Sequence, residues 1–507
     1  MDNILNYRRQ FLLTREPMDN FSHWKYLLLN NTLHLYSHPD LEINTVTDSK
    51  KQIVLLGFIF DHLNCNKDNG DILSDILEAT NSFEEFIKYI KRYSGRYIFI
   101  YVSDSVTNIL SDPVALREIY YCTNINRVIC GSQPNLIDSY SEPKLGIIND
   151  EDIVKFYNLD VKPHGAGDTW VGEETYYNCT KHLMPNHYLN IKSLEVHRYW
   201  PTEKINKRTI DEIVDLSCTY LQGVLKSAVC RKKLMMAITA GIDSRTLLAC
   251  SKELTDDIYF FINKEKHLNN RKSDIIIPNK LCKKLNLKFH VHEIENSVDE
   301  NFKTIFLNNT FLSSTRIITT IYNIYFKKLS DKLNISGVGE IGRNRYGKEP
   351  RKLNGYFLSY KIGYKNSKYV VIQNSKWIEK NLEIAREYNL NPLTLFYWEQ
   401  KLGNWGAVGK SESDIAIEEF NPYNSHYLFE LFLAAQDKFS SYESNILFRK
   451  IIQKMRPELL EIPINPPDST KSFIKYYLKK VRLYKYLQLT KYYYYYLKYR
   501  FNESDKS

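Results

Sequence analysis

From about residue 206 the chain alternates helical and strand-forming segments, and this alternation constrains its fold more than any other feature. A helical stretch over 210–230 leads to an apolar strand at 234–238, then a helix over 244–254. Next come the strand Ile258-Tyr259-Phe260-Phe261-Ile262, a helix over 274–285 and the strand Lys288-Phe289-His290-Val291-His292. Strands that take turns with helices imply parallel pairing through helical crossovers, a doubly wound α/β sheet. Beyond about 300 the pattern is mainly helical, apart from a strand near Lys332–Ser336. Residues 1–205 read differently. Short alternating or apolar runs at His34–Tyr36, Ile53–Ile59, Tyr97–Val102 and Arg127–Cys130 mark a strand-rich region, interrupted by helices near Asp71–Thr80 and Phe83–Tyr93.

In a doubly wound sheet ligands collect at the carboxyl ends of the strands. One such end reads Ile238-Thr239-Ala240-Gly241-Ile242-Asp243-Ser244-Arg245. A strand, a small-residue turn and a helix start in succession form a nest of backbone N–H groups at a positive dipole end, suited to phosphate. Thr239 and Ser244 add hydroxyls, and Asp243 can hold magnesium. The loop is neither GxxxxGK[ST] nor GxGxxG. A plain strand–turn–helix junction capped by Asp243 or Ser244 satisfies the same letters. A second strand ends at Ile262-Asn263, where exposed backbone can pair with adenine, and a third runs into Ser336-Gly337-Val338-Gly339-Glu340. Glu340 opposite Asp243 gives two carboxylates that can share a magnesium ion.

The first loop resembles the S-G-G-x-D-S loop of ATP pyrophosphatases, with Thr239 for Ser and Ala240 for Gly. Taken with the second loop, it resembles the asparagine synthetase family, whose second loop reads S-G-E-G-x-D-E; Val338 stands where that family usually has Glu. Asp274 resembles the acidic residue after the second strand, and Pro466-Pro467-Asp468-Ser469-Thr470-Lys471-Ser472-Phe473 resembles the R-x-K-x-x-F segment, without its Arg. Gly95-Arg96-Tyr97, Ser111-Asp112-Pro113, Arg117, Tyr120-Tyr121, His182–Leu189 and Arg198–Pro201 resemble the glutaminase-type N-terminal-nucleophile domain.

The resemblance implies an αββα sandwich over 1–205, a PP-loop synthetase domain over 206–470 and a tail over 471–507. It implies ATP and magnesium, with Thr239, Ala240, Gly241, Ile242, Asp243, Ser244, Ile262, Ser336, Gly337 and Gly339 around the nucleotide. Asp243 and Glu340 would hold the metal, and Lys471 and Arg245 would act in catalysis. Arg245 reads equally as a solvated arginine at a helix start. The implied reaction activates a carboxylate as an acyl-adenylate, which ammonia or an amine then attacks. The chain begins Met1-Asp2-Asn3 with no Cys before Cys65, so no glutaminase activity is expected of it. The substrate is then a small carboxylate, a sugar acid or a peptide; intramolecular closure of the β-lactam-synthetase or lasso-cyclase kind stays open, as does a degenerate binding or assembly subunit. The substrate pocket is expected between the two domains, lined partly by 300–425.

Charge narrows the partners. Of the net +10, residues 471–507 carry +8, from ten Lys or Arg and two acids, which leaves the first 470 close to neutral. A tRNA-modifying PP-loop enzyme is disfavoured by that neutral body and by the lack of a CxxC pair, and no nucleic acid is expected. The tail carries ten tyrosines among its lysines. Such a stretch packs its tyrosines on the body with lysines outward, touches an anionic membrane surface peripherally, or binds a polyanion. Eight scattered cysteines without a signal-peptide core point to a cytoplasmic protein with reduced thiols. His290 and His292 share a strand face, with no further ligands nearby in sequence.

Overall fold

Strand residues Tyr97, Phe99 and Tyr101 enter one apolar cluster, while Ile98, Ile100 and Val102 enter another. That period of two sets the N-terminal half: its longest strands are buried on both faces. The computed structural model describes residues 2–159, 169–265, 268, 272–313, 316–337, 339–480 and 483–504. Twelve strands come first: β1 (Phe11–Thr14), β2 (Lys25–Leu29), β3 (Leu33–Ser37), β4 (Ile43–Thr47), β5 (Lys51–Phe60) and β6 (Ser94–Ser103), then β7 (Thr107–Ser111), β8 (Tyr120–Cys122), β9 (Val128–Gly131), β10 (Thr180–His182), β11 (His187–Asn190) and β12 (Val196–Arg198). They form two antiparallel six-stranded sheets, ordered β10-β8-β9-β1-β3-β2 and β12-β11-β7-β6-β5-β4.

Leu13, Leu35, Ile129 and Cys130 of the first sheet meet Val54, Leu56, Ile98 and Ile100 of the second. Helices Pro134–Tyr140 and Glu151–Leu159 cover the outer face of the first sheet through Leu136, Ile137, Ile153 and Phe156. Helices Asn69–Ala79 and Phe83–Ile90 cover the second. The result is the αββα sandwich expected from the sequence.

The C-terminal half holds five parallel strands: β13 (Leu234–Ala237), β14 (Ile258–Lys264), β15 (Phe289–Glu293), β16 (Leu333–Ile335) and β17 (Glu419–Phe420). Their order is β15-β14-β13-β16-β17, the doubly wound arrangement anticipated above. The chain works outward from β13 to β15 and then returns to place β16 on the other side of β13. The gap between β13 and β16 is thus the switch point, where loops diverge and a crevice opens. Helix Ile210–Arg231, capped by Thr209, feeds β13, and helix Ile242–Cys250 leaves it. One apolar cluster runs from the outer face of the second antiparallel sheet through helix Ile210–Arg231 into β13 and β16.

Polar bonds join the halves as well. Arg96 pairs with Asp414 at 2.5 and 2.7 Å, and Arg117 with Glu418 at 2.6 Å. Asp112 accepts from the backbone N–H of Leu116 and Arg117 and from Asn424 Nδ2. The residues that resemble a glutaminase core therefore include much of the contact with the C-terminal half.

Candidate functional site

β13 ends at Ala237, and the next residues turn across the switch point. Ile238 N–H donates to the Phe261 carbonyl at 2.9 Å, so the turn is still anchored to β14. The helix then starts at Ile242, two residues earlier than its apolar pattern suggests. Its N-cap is Gly241 (φ −73°, ψ 164°), and no side chain caps it. Asp243 and Ser244 lie inside the first turn and do not serve as the cap. A helix start without a side-chain acceptor leaves N–H donors turned toward the crevice. Ala240 lies outside the left-handed region, so Ala in place of Gly costs no backbone strain.

Hydrogen bonds hold the loop in shape. Thr239 Oγ1 and Ser244 Oγ lie 3.0 Å apart, the Thr239 N–H donates to Ser244 Oγ, and the Gly241 N–H donates to Thr239 Oγ1. The Ala240 N–H donates to Asp274 Oδ1 at 2.9 Å. Asp274 is the acidic residue singled out at the head of the helix after β14, and its position comes from helix Ser273–Lys284. Ile262 is buried in β14, one residue beyond the last pair with β13, Ala237 opposite Phe261.

The second loop leaves β16 and meets the first. A methyl group on Gly337 would lie 3.5 Å from Asp243 Cβ, and one on Gly339 would lie 2.9 Å from Asp243 Oδ1 and 2.8 Å from Phe448. Space requires glycine at 339, while a methyl group on Gly337 would only press on the end of Leu247 at 3.0 Å. Ser336 Oγ accepts from Lys410 Nζ at 2.8 Å. Lys410 also pairs with Glu419 of β17. Burial pushes the Glu419 carboxyl up, and Lys410 and Ser413 more than offset this, holding it below its usual value. Val338 and the side chain of Glu340 lie outside the described residues.

Arg343, like Lys410, is a cation that sequence reading did not find. Its Nη2 donates to both Asp243 carboxylate oxygens, at 2.9 and 2.7 Å, and its Nη1 to Asn445. The guanidinium stacks over Tyr442 and Phe448. Only its position three residues past Glu340 hinted at a role.

Arg245 faces the other way. Fully buried, it donates to the carbonyls of Leu459, Ile462 and Pro463. Burial, with Arg449 nearby, holds its pKa down to about 10. It fastens a strap, residues 459–468, across the loop. Within the strap the Asn465 N–H donates to the Ala240 carbonyl at 3.0 Å, and Asp468 accepts from Ser273. Lys471 follows, exposed in the first turn of helix Thr470–Lys480.

These residues fit an anion better than a metal. The uncapped helix start, two hydroxyls and two nearby cations suit phosphate oxygens. Asp243 brings one carboxylate, whose charge Arg343 already balances. Among the described residues no group of three or more His, Cys, Asp or Glu could hold a metal ion. His290 and His292 stack beside Tyr259, whose hydroxyl bonds His292 at 3.2 Å. A cavity of about 330 Å³ opens beside the second loop, lined by Ile341, Asn344, Lys348, Glu349, Asn391 and Asp437 among others. Its walls come from residues 341–349 and 389–392, from Lys207 and from residues 432–440, and not from the antiparallel sheets.

No family model and no curated protein matches this sequence. Among solved structures, the chain is similar to an NH3-dependent NAD synthetase from Campylobacter jejuni subsp. jejuni NCTC 11168 in complex with the nitrate ion. That match has 17% identity over 38% of this chain and 92% of the other, with a TM-score of 0.21. It is also similar to the glutamine phosphoribosylpyrophosphate amidotransferase of B. subtilis complexed with ADP and GMP, at 8% identity over 60% and 88%, with a TM-score of 0.24. At those scores both likenesses are slight, and the candidate site rests on its own geometry.

Proposed function

We propose that this chain is an ATP-dependent amide-forming ligase that activates a carboxylate by adenylation. One observation carries the reading: Thr239–Ser244 and Ser336–Gly339, from neighbouring strands, meet at the switch point of the parallel sheet, beside an uncapped helix start. A substrate carboxylate oxygen attacks the α-phosphorus of ATP, and the bond to the β-phosphate bridging oxygen breaks, releasing pyrophosphate. Ammonia or a substrate amine then attacks the acyl carbon; the C–O bond to AMP breaks, and the amine loses a proton. Thr239, Gly241 and Ser244 receive the charge that builds on the leaving pyrophosphate as the P–O bond breaks, and preorganised donors aimed at that developing charge lower the barrier. Arg343 and Lys410 stand beside the loops, each bound to a carboxylate, Asp243 and Glu419, with which a phosphate would share it, and Lys471 joins them from the start of its helix. Arg245 acts through the strap it holds. Ile262 marks the edge where adenine would lie.

No step is assigned to magnesium, because the Asp243 carboxylate is engaged by Arg343 and the side chain of Glu340 is not among those described. The amine is taken to come from solution or from the substrate. Buried Cys122 has its thiol pushed up to about 12, and burial pushes Cys130 higher still, so both are poor nucleophiles. The cavity beside Ile341 and Asn344 has room for a small polar acid.

The test is ATP–pyrophosphate exchange with a pool of carboxylic acids, run beside Asp243→Ala. Exchange that depends on one acid and disappears in the variant supports adenylation and identifies the acid. The ion pair between Asp243 and Arg343 favours a second reading, a binding subunit that has kept the loop without the chemistry. ATP binding without exchange for any acid would support that reading. Failure to bind ATP at all would defeat both.

A further inference from the structure

Between Asp468 and Glu503 the sequence has no acidic residue and nine Lys or Arg. This stretch forms helix Thr470–Lys480 and helix Tyr484–Ser504. Among the described residues the second helix meets the body along one face. Tyr492, Tyr496 and Tyr499 pack on Tyr356, at ring-centroid distances of 5.9, 5.2 and 4.9 Å, and Tyr492 also meets Phe357 and Tyr360. Lys365 sits over the Tyr495 ring. At about 100° per residue, Tyr486, Leu487, Tyr493, Tyr494 and Leu497 fall on the opposite side. They are exposed: Tyr486 66%, Tyr494 62%, and the other three 53–54%. Phe473, Ile474, Tyr476 and Tyr477 of the preceding helix are about half exposed too. Of the 21 large apolar side chains exposed among the described residues, 11 lie within 473–497, so they form a patch and not a scatter.

The inward tyrosines follow the ordinary expectation of packing on the body, and the outward ones do not. A terminal helix that needed only to pack would turn its second face to water with polar residues. Here the outward strip is Tyr and Leu, with Lys491 and Lys498 on one flank and Arg500 on the other. Aromatic and aliphatic groups flanked by cations suit the boundary between headgroups and acyl chains, where tyrosine keeps its hydroxyl in the polar layer. A protein or a second copy of this chain would answer the apolar strip, but only an anionic surface answers both the strip and thirty-odd residues without one acid. No helix of the described residues is long and apolar enough to cross a membrane. We propose that helices Thr470–Lys480 and Tyr484–Ser504 lie on an anionic lipid bilayer, in the plane of its surface, through this outward face.

The inference is independent of the ligase reading. It is tested by flotation of the full chain with phosphatidylcholine vesicles, with and without about 30% phosphatidylserine. Binding is expected to the anionic vesicles alone and should weaken as salt rises above about 0.1 M. Tyr486→Ser with Tyr494→Ser and Leu497→Ser should reduce it about tenfold or more, because these side chains hold nothing in the body. Lys491→Glu with Lys498→Glu should reduce it as much. Three results would overturn the proposal: equal partition onto both vesicle types, no partition by folded protein, or a concentration-dependent dimer abolished by the same serine substitutions. Binding to RNA that survives the serine substitutions, with no vesicle binding, would assign the basic residues to nucleic acid and overturn it as well.

Discussion

Gly339 presses directly on the residue that defines the site. Its missing Cβ would lie within 3 Å of Asp243 Oδ1 and of the Phe448 ring, so Gly339→Ala must move one of them. A cost of about 1–3 kcal/mol is expected, with loss of pyrophosphate exchange at unchanged fold, measured by denaturant midpoint beside the exchange assay. Glu118 offers a pH signature. It is buried among Tyr120, Gln133 and Ser411, and burial outweighs their hydrogen bonds, pushing its pKa up to about 7. A carboxyl raised in the folded state binds more protons folded than unfolded. Its stabilisation is therefore full below the ordinary value of 4.5 and is lost as pH rises through 7. Glu118→Gln should gain on the parent chain by about 3 kcal/mol between pH 4.5 and 8, read from urea midpoints across that range; parallel curves would refute it. The loop letters at 239–244 were legible because strand, small turn and helix are adjacent in sequence. Arg343 was not, because it meets Asp243 across a long stretch of chain, and Lys410 was not, because its near partner Glu419 sits in a strand too short to read and its other partner, Ser336, is far off in sequence.

Helices and strands were read best where one period dominates. β5, β6 and helix Ile210–Arg231 lie where their patterns placed them, whereas β17 escaped notice. It is two residues long, and one of them, Glu419, is a buried acid paired with Lys410, so it reads as polar loop. Helix Ile242–Cys250 began earlier than expected because Ile242 and Asp243 carry no helical periodicity of their own. Helix Ile210–Arg231 contains Gly223, where the His62 carbonyl approaches so closely that a methyl group has no room. On an open helix, Gly→Ala gains roughly 0.5–1 kcal/mol. Here Gly223→Ala is expected to lose about 1–3 kcal/mol, and calorimetry would settle the sign.

The two halves share one apolar cluster and several buried ion pairs, so they are expected to unfold together. Arg96 and Asp414 are nearly sealed from water. Asp414→Ala strands the guanidinium and should cost about 3–5 kcal/mol, still in a single thermal transition. Two separate transitions would contradict the continuous core. Arg96→Met combined with Asp414→Leu should recover much of the loss, because an apolar pair suits that setting. The fold class was open to sequence reading because the two patterns, alternate strands and then strand–helix repeats, change near residue 206. The interface was not, since Arg96, Asp112 and Arg117 carry letters that resemble a glutaminase core but bond to residues 414–424.

The strap that crosses the loop also sets an order of events. During synthesis Thr239–Ser244 leave the ribosome long before Asn465 exists to donate to Ala240, or Leu459, Ile462 and Pro463 to receive Arg245. A growing chain therefore carries an unfinished nest with an unmet arginine beside it. The loop takes its final shape only once residues 459–465 have been made, so folding of this corner waits for a segment more than two hundred residues downstream.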